Sequence, residues 1–519
     1  MVPEISAFSQ IGFPLLTLII LVPLGAAIAI MKKKGGPATT VALGAAALEL
    51  FLTAIVWMVH DSSSSAIQLA EGWWLYKLGI DGVSVMFLPA TALLTLFAVI
   101  LAPKSVNTNM QGYLAALLFS EAALMGAFAA TNLGLFWIFF VAEFIPCYFL
   151  IKGWGTGTDR EKVAFNYVVY MALSALLIGI GFVAMAANLS TGMSLQWATI
   201  AAGKIDPAIQ TLIFFFVCAG FAIKAPLFPM HTWLPKVLEH GPLVGMSVIL
   251  VGIKIGAYGM IRFVIPLLPE ATAQWFWIMA MFGTLSLVYG ALIALTQTNL
   301  RRLMAFASVS HMGVVTLGLF SLNVAGIEGG LLQALNLGIT GAGLFLIASF
   351  LTLRIGTPDL SNMRGLQTRT PYMALGFLII ALAAVGMPGT SGFNGEHMVL
   401  LGAFEKHWFM AICVGIGPIL AAAYFLRYYQ RAFLSEAVEE SAPDISDLEG
   451  HERGIVLALV GVVLWIGLYT TPFLSTMRSS VEGITTHFHV DGAVHEKSAS
   501  SRPLTDTSVR LVLAQESHQ

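Results

Sequence analysis

The chain has 519 residues, 57% hydrophobic and only 10% charged, with a formal net charge of −2 and a mean hydropathy of +0.83. Soluble domains carry about 25% charged residues, so this composition excludes a soluble globular protein and describes an all-α polytopic membrane protein embedded in a lipid bilayer. No basic run with interleaved aromatics offers nucleic acid a surface; Cys147, Cys218 and Cys413 lie in apolar runs without C-x-x-C or Cys/His spacing, so neither a disulfide framework nor a metal or iron–sulfur site is expected.

A membrane-spanning helix needs about 20 mostly apolar residues. Taken in order, the chain offers about 14 such spans: 11–31, 39–59, 83–102, 113–130, 133–152, 165–187, 209–235, 243–263, 274–296, 303–322, 328–353, 371–403, 408–433 and 454–475. The first run is too long for a signal-peptide core and lacks a basic start, so it reads as a retained span. Residues 60–82 and 188–208 read as polar and aromatic connections, and the polar tail, 476–519, as lying outside the bilayer. Lysine and arginine concentrate in alternate loops. They are Lys32, Lys33 and Lys34 after span 1, Lys104 after span 3, and Lys152, Arg160 and Lys162 after span 5. Lys236, then Arg301 and Arg302, then Arg354, Arg364 and Arg369, and finally Arg427, Arg431 and Arg453 follow spans 7, 9, 11 and 13. The intervening loops hold little beyond Lys77, Lys204, Arg262 and Lys406. The positive-inside rule then predicts that every odd-to-even loop is cytoplasmic (stromal in a thylakoid) and that both termini lie on the opposite side. A bacterial plasma membrane and a thylakoid membrane both fit.

Span 7 cannot be a regular helix. Lys224 is followed by Pro226, Pro229 and Pro235, and each proline removes a backbone donor and clashes with the preceding turn. Broken backbone at membrane depth persists only where protein or a water-filled cavity satisfies it. Ionisable residues at that depth mark ion paths by default, and here Lys224 and Lys254 flank the break. Span 12 is interrupted in the same way: V-G-M-P-G-T-S-G-F-N-G-E-H-M (385–398) places Pro388, Gly389 and three further glycines before Glu396. Spans 4–8 (113–263) and 9–13 (274–433) thus form two five-helix units, each with an interrupted fourth helix. An odd helix count inverts the second unit relative to the first, and paired interruptions point to the transport site of inverted-repeat folds. Spans 1–3 (1–112), span 14 (454–475) and the tail (476–519) complete the organisation.

At these breaks the sequence resembles the antiporter-like membrane subunits of respiratory complex I, which share their fold with Mrp cation/proton antiporters and membrane-bound hydrogenases. K-A-P-L-F-P-M-H-T-W-L-P (224–235), K-I-G-A-Y-G-M-I-R-F (254–263), R-R-L-M-A-F-A-S-V-S-H-M-G (301–313) and P-G-T-S-G-F-N-G-E (388–396) are similar to the family's four signature stretches and follow in family order. Glu396, where other members have lysine, and the lack of a long lateral helix after span 14 place the chain beside the M-type (chain 4) members. The resemblance implies a proton-translocating subunit of a NAD(P)H- or ferredoxin:quinone oxidoreductase. Its partners would be other antiporter-like and small membrane subunits, with flavin, iron–sulfur clusters and quinone in partner chains and no cofactor in this one. An Mrp-type antiporter subunit, and a spacer that no longer conducts, are the alternative readings.

By the same resemblance Glu143 pairs with Lys224, Lys254 is the central relay, and His311 and Glu396 carry the proton onward. The residues alone leave blander readings open: a snorkelling lysine at 224, a neutral backbone-bonded histidine at 311, an interfacial glutamate at 396. His231 and Trp233 read as structural, joining free backbone groups at the kink, as do Pro226, Pro229, Pro388 and Gly389. Ser308, Ser310, Asn336 and Thr340 either anchor waters or bond to their own helices. Three departures from the family pattern stand out. The span-5 carboxylate usually lies five residues before the proline of P-C-Y-F-L (146–150); that position is Val141, and Glu143 is three before. Two residues turn a helix by about 200°, so either the helix is locally shifted or the usual Glu–Lys pair is altered; Glu143, as the only carboxylate within span 5, is kept as the partner of Lys224. Leu337 stands where a histidine is usual, and Lys236 follows H-T-W-L-P where an aspartate is usual.

Overall fold

The computed structural model describes residues 3–32, 37–190, 192–360, 363–436 and 445–500; Lys33, Lys34 and the tail beyond Ser500 lie outside them. Among the described residues thirteen helices are long and apolar enough to cross a membrane: Leu15–Lys32, Ala38–Val59, Phe87–Ser105, Met110–Ala129, Leu133–Trp154, Arg160–Ala187, Pro207–Lys224, Met246–Val264, Pro269–Thr296, Leu300–Leu319, Val324–Ile355, Trp408–Leu434 and Gly450–Leu468. The remaining expected span, the twelfth, is divided into Pro371–Val385 and Ser391–Lys406, neither half reaching that length. Span numbers below follow this order.

Local chemistry sets the ends of these helices. Spans 5, 10 and 11 each start behind an asparagine, Asn132, Asn299 and Asn323, whose side-chain oxygen accepts from backbone N–H groups of the first turn. The first half of span 12 stops at Gly386, whose φ of 82° only glycine adopts readily. Spans 4, 8, 10 and 11 are almost wholly buried, whereas spans 1, 2, 5, 6, 9, 13 and 14 expose apolar side chains outward. A bilayer offers no hydrophobic drive between helices. The buried four therefore pack through small residues: Gly313 lies against the backbone of Gly283 and Leu287, and Gly329 against Gly395 and Val399.

The connection 60–82 carries regular structure: β2 (Ile67–Trp73) pairs antiparallel with β3 (Tyr76–Ile80), and β1 (Glu4–Ser6) lies parallel on the outer edge of β2. Gly72, at φ 81°, lies in β2 one pair before the turn, where a Cβ would meet the Tyr76 carbonyl. The chain after span 14 also carries regular structure. A helix runs from Thr471 to Ser500, and its first turns bury Met477 and Val481. Trp57 donates to Thr476 Oγ1 (3.3 Å), the Gly82 amide to Ser480 Oγ (3.0 Å), and Ser479 Oγ to the carbonyls of Ser62 and Ser64. The sheet and this helix share the face at which odd-numbered spans begin, called the hairpin face below; the opposite face carries the basic loops.

Span 8 is also less regular than its apolar sequence implies. It runs as Met246–Gly252 and Lys254–Gly259 and then widens into a π-turn, Met260–Val264. Lys254 sits at the irregularity.

Candidate functional site

Span 7 ends at Lys224, and the chain loops through 225–229 before a single turn, Met230–Thr232, and the helix Trp233–His240. The backbone groups freed by the prolines find partners elsewhere. The indole of Trp233 donates to the Ile223 carbonyl (2.9 Å), the Phe228 amide to Ser286 Oγ on span 9 (2.8 Å), and the Leu227 amide to Ala222 (2.9 Å). Trp233 thus ties the kink as expected. His231 does not. Its ring stacks on Phe228 and meets the edges of Tyr289 and Phe306, and its buried Nδ1 has no hydrogen-bond partner. It instead lines a polar cavity of about 450 Å³ that includes Asp159, Lys162, Lys236, Glu239 and Arg302, at the basic-loop face.

Glu143 and Lys224 meet despite the offset in span 5. Glu143 Oε2 lies 2.5 Å from Lys224 Nζ, and both side chains are about 98% buried or more. Cys147 Sγ lies 3.5 Å from Glu143 Oε1, and the Phe140 ring faces the ammonium at 5.5 Å. Space for the carboxylate comes from span 8: a Cβ on Gly252 would stand 2.3 Å from Glu143 Oε1, and one on Gly256 would strike Ala225 in the break. Glycine at both positions lets span 8 lie directly on the ion pair and the broken turn.

Lys254 is buried and has no ion-pair partner among the described residues; its Nζ approaches Met312 Sδ at 3.7 Å. His311, one residue earlier on span 10, faces the second unit. Its Nε2 shares a hydrogen bond with Tyr424 OH (3.2 Å), and its Nδ1 lies 3.6 Å from Glu396 Oε1. Gln333 donates to that same oxygen (3.0 Å), Asn336 to Gln333 (3.4 Å), and Ser391 bonds to Asn336. Asn336 therefore belongs to the network around Glu396. Ser308 and Thr340 bond back to their own helices, and Ser310 to the Leu287 carbonyl of span 9. A small cavity of about 20 Å³ adjoins His311, walled by Leu250, Ser308, Leu337 and Thr340. That is room for about one water, between span 8 and the histidine, with Leu337 on its wall.

The structure thus brings together Glu143 with Lys224, and His311 with Glu396. Lys254 stands between the two groups, bonded to neither. Sequence reasoning missed the glycines that seat the carboxylates. Glu396 Oε2, which has no hydrogen-bond partner, lies 2.4 Å from where a Cβ on Gly386 would stand, matching Gly252 at Glu143. A glycine beside a buried acid is a readable signal only once the facing helix is known. Pro388 and Gly389 lie in the gap between the halves of span 12, where Gly389 has φ 88°.

These features define a multi-pass helical membrane protein with two interrupted spans, each beside a buried carboxylate. The chain belongs to the NADH:quinone oxidoreductase/Mrp antiporter transmembrane family, whose profile matches residues 130–420. It is 34% identical over 506 residues to subunit M of the NADH-quinone oxidoreductase of Rhodobacter capsulatus, covering 92% of this chain and 97% of that one. Chain 4 of the Arabidopsis thaliana NADH-ubiquinone oxidoreductase is 32% identical over 460 residues, covering 86% and 92%. Among solved structures, a chain of respiratory complex I from Thermus thermophilus superposes with a TM-score of 0.83 at 29% identity, covering 91% of this chain and 99% of its own length. A chain of the Mrp complex from Dietzia shares the fold (TM-score 0.78, 20% identity, 93% and 98% covered).

Proposed function

We propose that the chain is a proton-translocating membrane subunit of a complex I-type NAD(P)H- or ferredoxin:quinone oxidoreductase. Electron transfer, with its flavin, iron–sulfur clusters and quinone, takes place in partner subunits, and the assembly resides in a bacterial plasma or thylakoid membrane. The basic loops face the cytoplasm or stroma, and the two five-helix units are inverted copies that each supply half of the path.

The observation that carries this reading is the buried Glu143–Lys224 ion pair at the break in span 7. A lysine there holds its proton only while the carboxylate is close, because an uncompensated ammonium in a low-dielectric interior is costly. Movement of either partner releases that proton. The loop 225–229 supplies the freedom to move, and the cavity reaching His231 supplies protons from the basic-loop face. Lys254 receives the proton, one water beside His311 bridges the gap, and His311 passes it to Glu396, from which it leaves on the hairpin face.

The test is Lys254→Ala in the assembled complex, in vesicles. Redox-driven acidification is expected to disappear while the subunit still co-purifies with its partners. Pumping at the wild-type level would overturn the relay. The likeness to the Mrp fold carries a second reading, a cation/proton antiporter subunit without redox input. Purification separates the two: iron–sulfur subunits accompany the chain in the first case, and membrane subunits alone in the second.

A further inference from the structure

The relay just described needs an exit at one place and a barrier at another. A proton on Lys254 lies on span 8, and the same helix continues from it toward the hairpin face. Two layers of side chains lie in that direction. Phe87, Phe128, Phe136, Phe221, Tyr258 and Phe263 come from spans 3, 4, 5, 7 and 8, and none is more than 3% exposed. Their centroids lie 5.0 Å apart for Phe87–Phe128, 5.1 Å for Phe128–Tyr258, 4.5 Å for Phe136–Phe263 and 6.1 Å for Phe136–Phe221. The Tyr258 hydroxyl is spent on the Phe128 carbonyl (3.0 Å). One pair is stacked and the others meet tilted or edge-on, so the rings form a continuous apolar layer.

Above the rings lies a buried ion pair. Arg262, in the π-turn of span 8, bonds to Asp81 Oδ2 at the end of the hairpin. Asp81 Oδ1 accepts from the amides of Val83 (3.1 Å) and Ser84 (3.3 Å). The Trp197 ring covers the guanidinium at 4.8 Å, and its N–H donates to the Arg262 carbonyl (2.8 Å). Both carboxylate oxygens are therefore occupied by donors, and arginine, always protonated, cannot hand a proton on.

We propose that the Arg262–Asp81 pair, with the aromatic layer beneath it, seals the first five-helix unit at the hairpin face, so that a proton on Lys254 can move only sideways to His311 and Glu396. The inference rests on the relay reading for the source of the proton. Arg262 and Asp81 are positioning residues, since they hold the barrier shut and carry no proton themselves.

The experiment is the collapse of an imposed pH gradient, without electron donor, in vesicles holding the complete complex. Arg262→Ala combined with Phe128→Ala is expected to speed that collapse at least about tenfold over wild type. A wild-type rate overturns the seal and leaves the relay untouched. Adding Lys254→Ala to the leaking pair is expected to stop the leak; a leak that persists upholds the seal but overturns Lys254 as its source. Should the double variant fail to assemble, Ile255→Cys supplies a milder probe. A small charged methanethiosulfonate applied from the hairpin face is expected to leave that thiol unmodified, and modification from that face overturns the seal.

Discussion

Gly252 decides how close Glu143 and Lys224 can be. In Gly252→Ala the new methyl would stand 2.3 Å from Glu143 Oε1 and 3.2 Å from its carboxyl carbon. The neighbour it meets is the free end of a flexible side chain, so the fold tolerates the change and the carboxylate swings away. Reaching an ordinary contact of roughly 3.4 Å requires about an ångström. Taken along the ion-pair axis, the 2.5 Å separation from Lys224 opens to about 3.5 Å. At an effective dielectric of about 20 the attraction falls from ~6.6 to ~4.7 kcal/mol. The loss of ~1.9 kcal/mol shifts the balance between closed and open pair by about 25-fold. Proton pumping per electron transferred, read with a pH-sensitive dye in vesicles at matched subunit content, is expected to drop by roughly an order of magnitude. Glu143→Asp in the same background shortens the side chain by one methylene, relieves the clash and restores part of the loss. Wild-type pumping in Gly252→Ala would refute the reasoning, because the ion pair would then tolerate an ångström of displacement without consequence.

Two further outcomes follow from the same structure. Trp233→Phe keeps the ring against Tyr167 but strips the Ile223 carbonyl of its donor at the break; an unsatisfied buried acceptor costs about 1–3 kcal/mol, so the thermal midpoint of the purified complex falls, and an unchanged midpoint would dismiss the indole's role as a tie. His60, just past span 2, is held below the ordinary imidazole value by burial, with the Asp81 carboxylate pulling partly back. Its neutral form is thus preferred in the folded protein, so the stability it supports is intact above about pH 6.5 and declines as pH falls through that value toward the depressed one. Hydrogen exchange in the helix after Thr471 should quicken on acidification in the wild type and lose that dependence in His60→Gln.

The reach of the sequence varied with the kind of feature. Spans 1–14 were legible because twenty apolar residues in a row admit one structure in a bilayer, and the breaks because Pro226, Pro229 and Gly386 forbid a helix locally. Buried charge at Lys224, Lys254 and Glu396 was legible for the same reason, since few residues are so costly to place there. The pairing of Glu143 with Lys224 was legible only through the resemblance and against the helical phase; how the carboxylate fits was not, since that depends on the close approach of span 8 through Gly252 and Gly256. The hairpin escaped because its turn, Trp74-Leu75, lacks the glycine or asparagine that signals one, Trp74 itself taking a positive φ. The docking of the last helix escaped because its buried apolar residues, Phe473, Met477, Val481 and Ile484, are interspersed with polar ones and have meaning only beside the surface that receives them.

The bonds between the helix that follows Thr471 and the hairpin face join residues 398 to 419 positions apart. At a synthesis rate of about 5–20 residues per second, the ribosome needs roughly 20–80 s to deliver the second partner after the first. For that interval Trp57, Ser62, Ser64 and Gly82 wait without the partners that the last helix brings. Biogenesis therefore has a vulnerable period that begins with the second span and closes only when the last helix arrives. Factors that shield nascent membrane proteins on that face matter most during it.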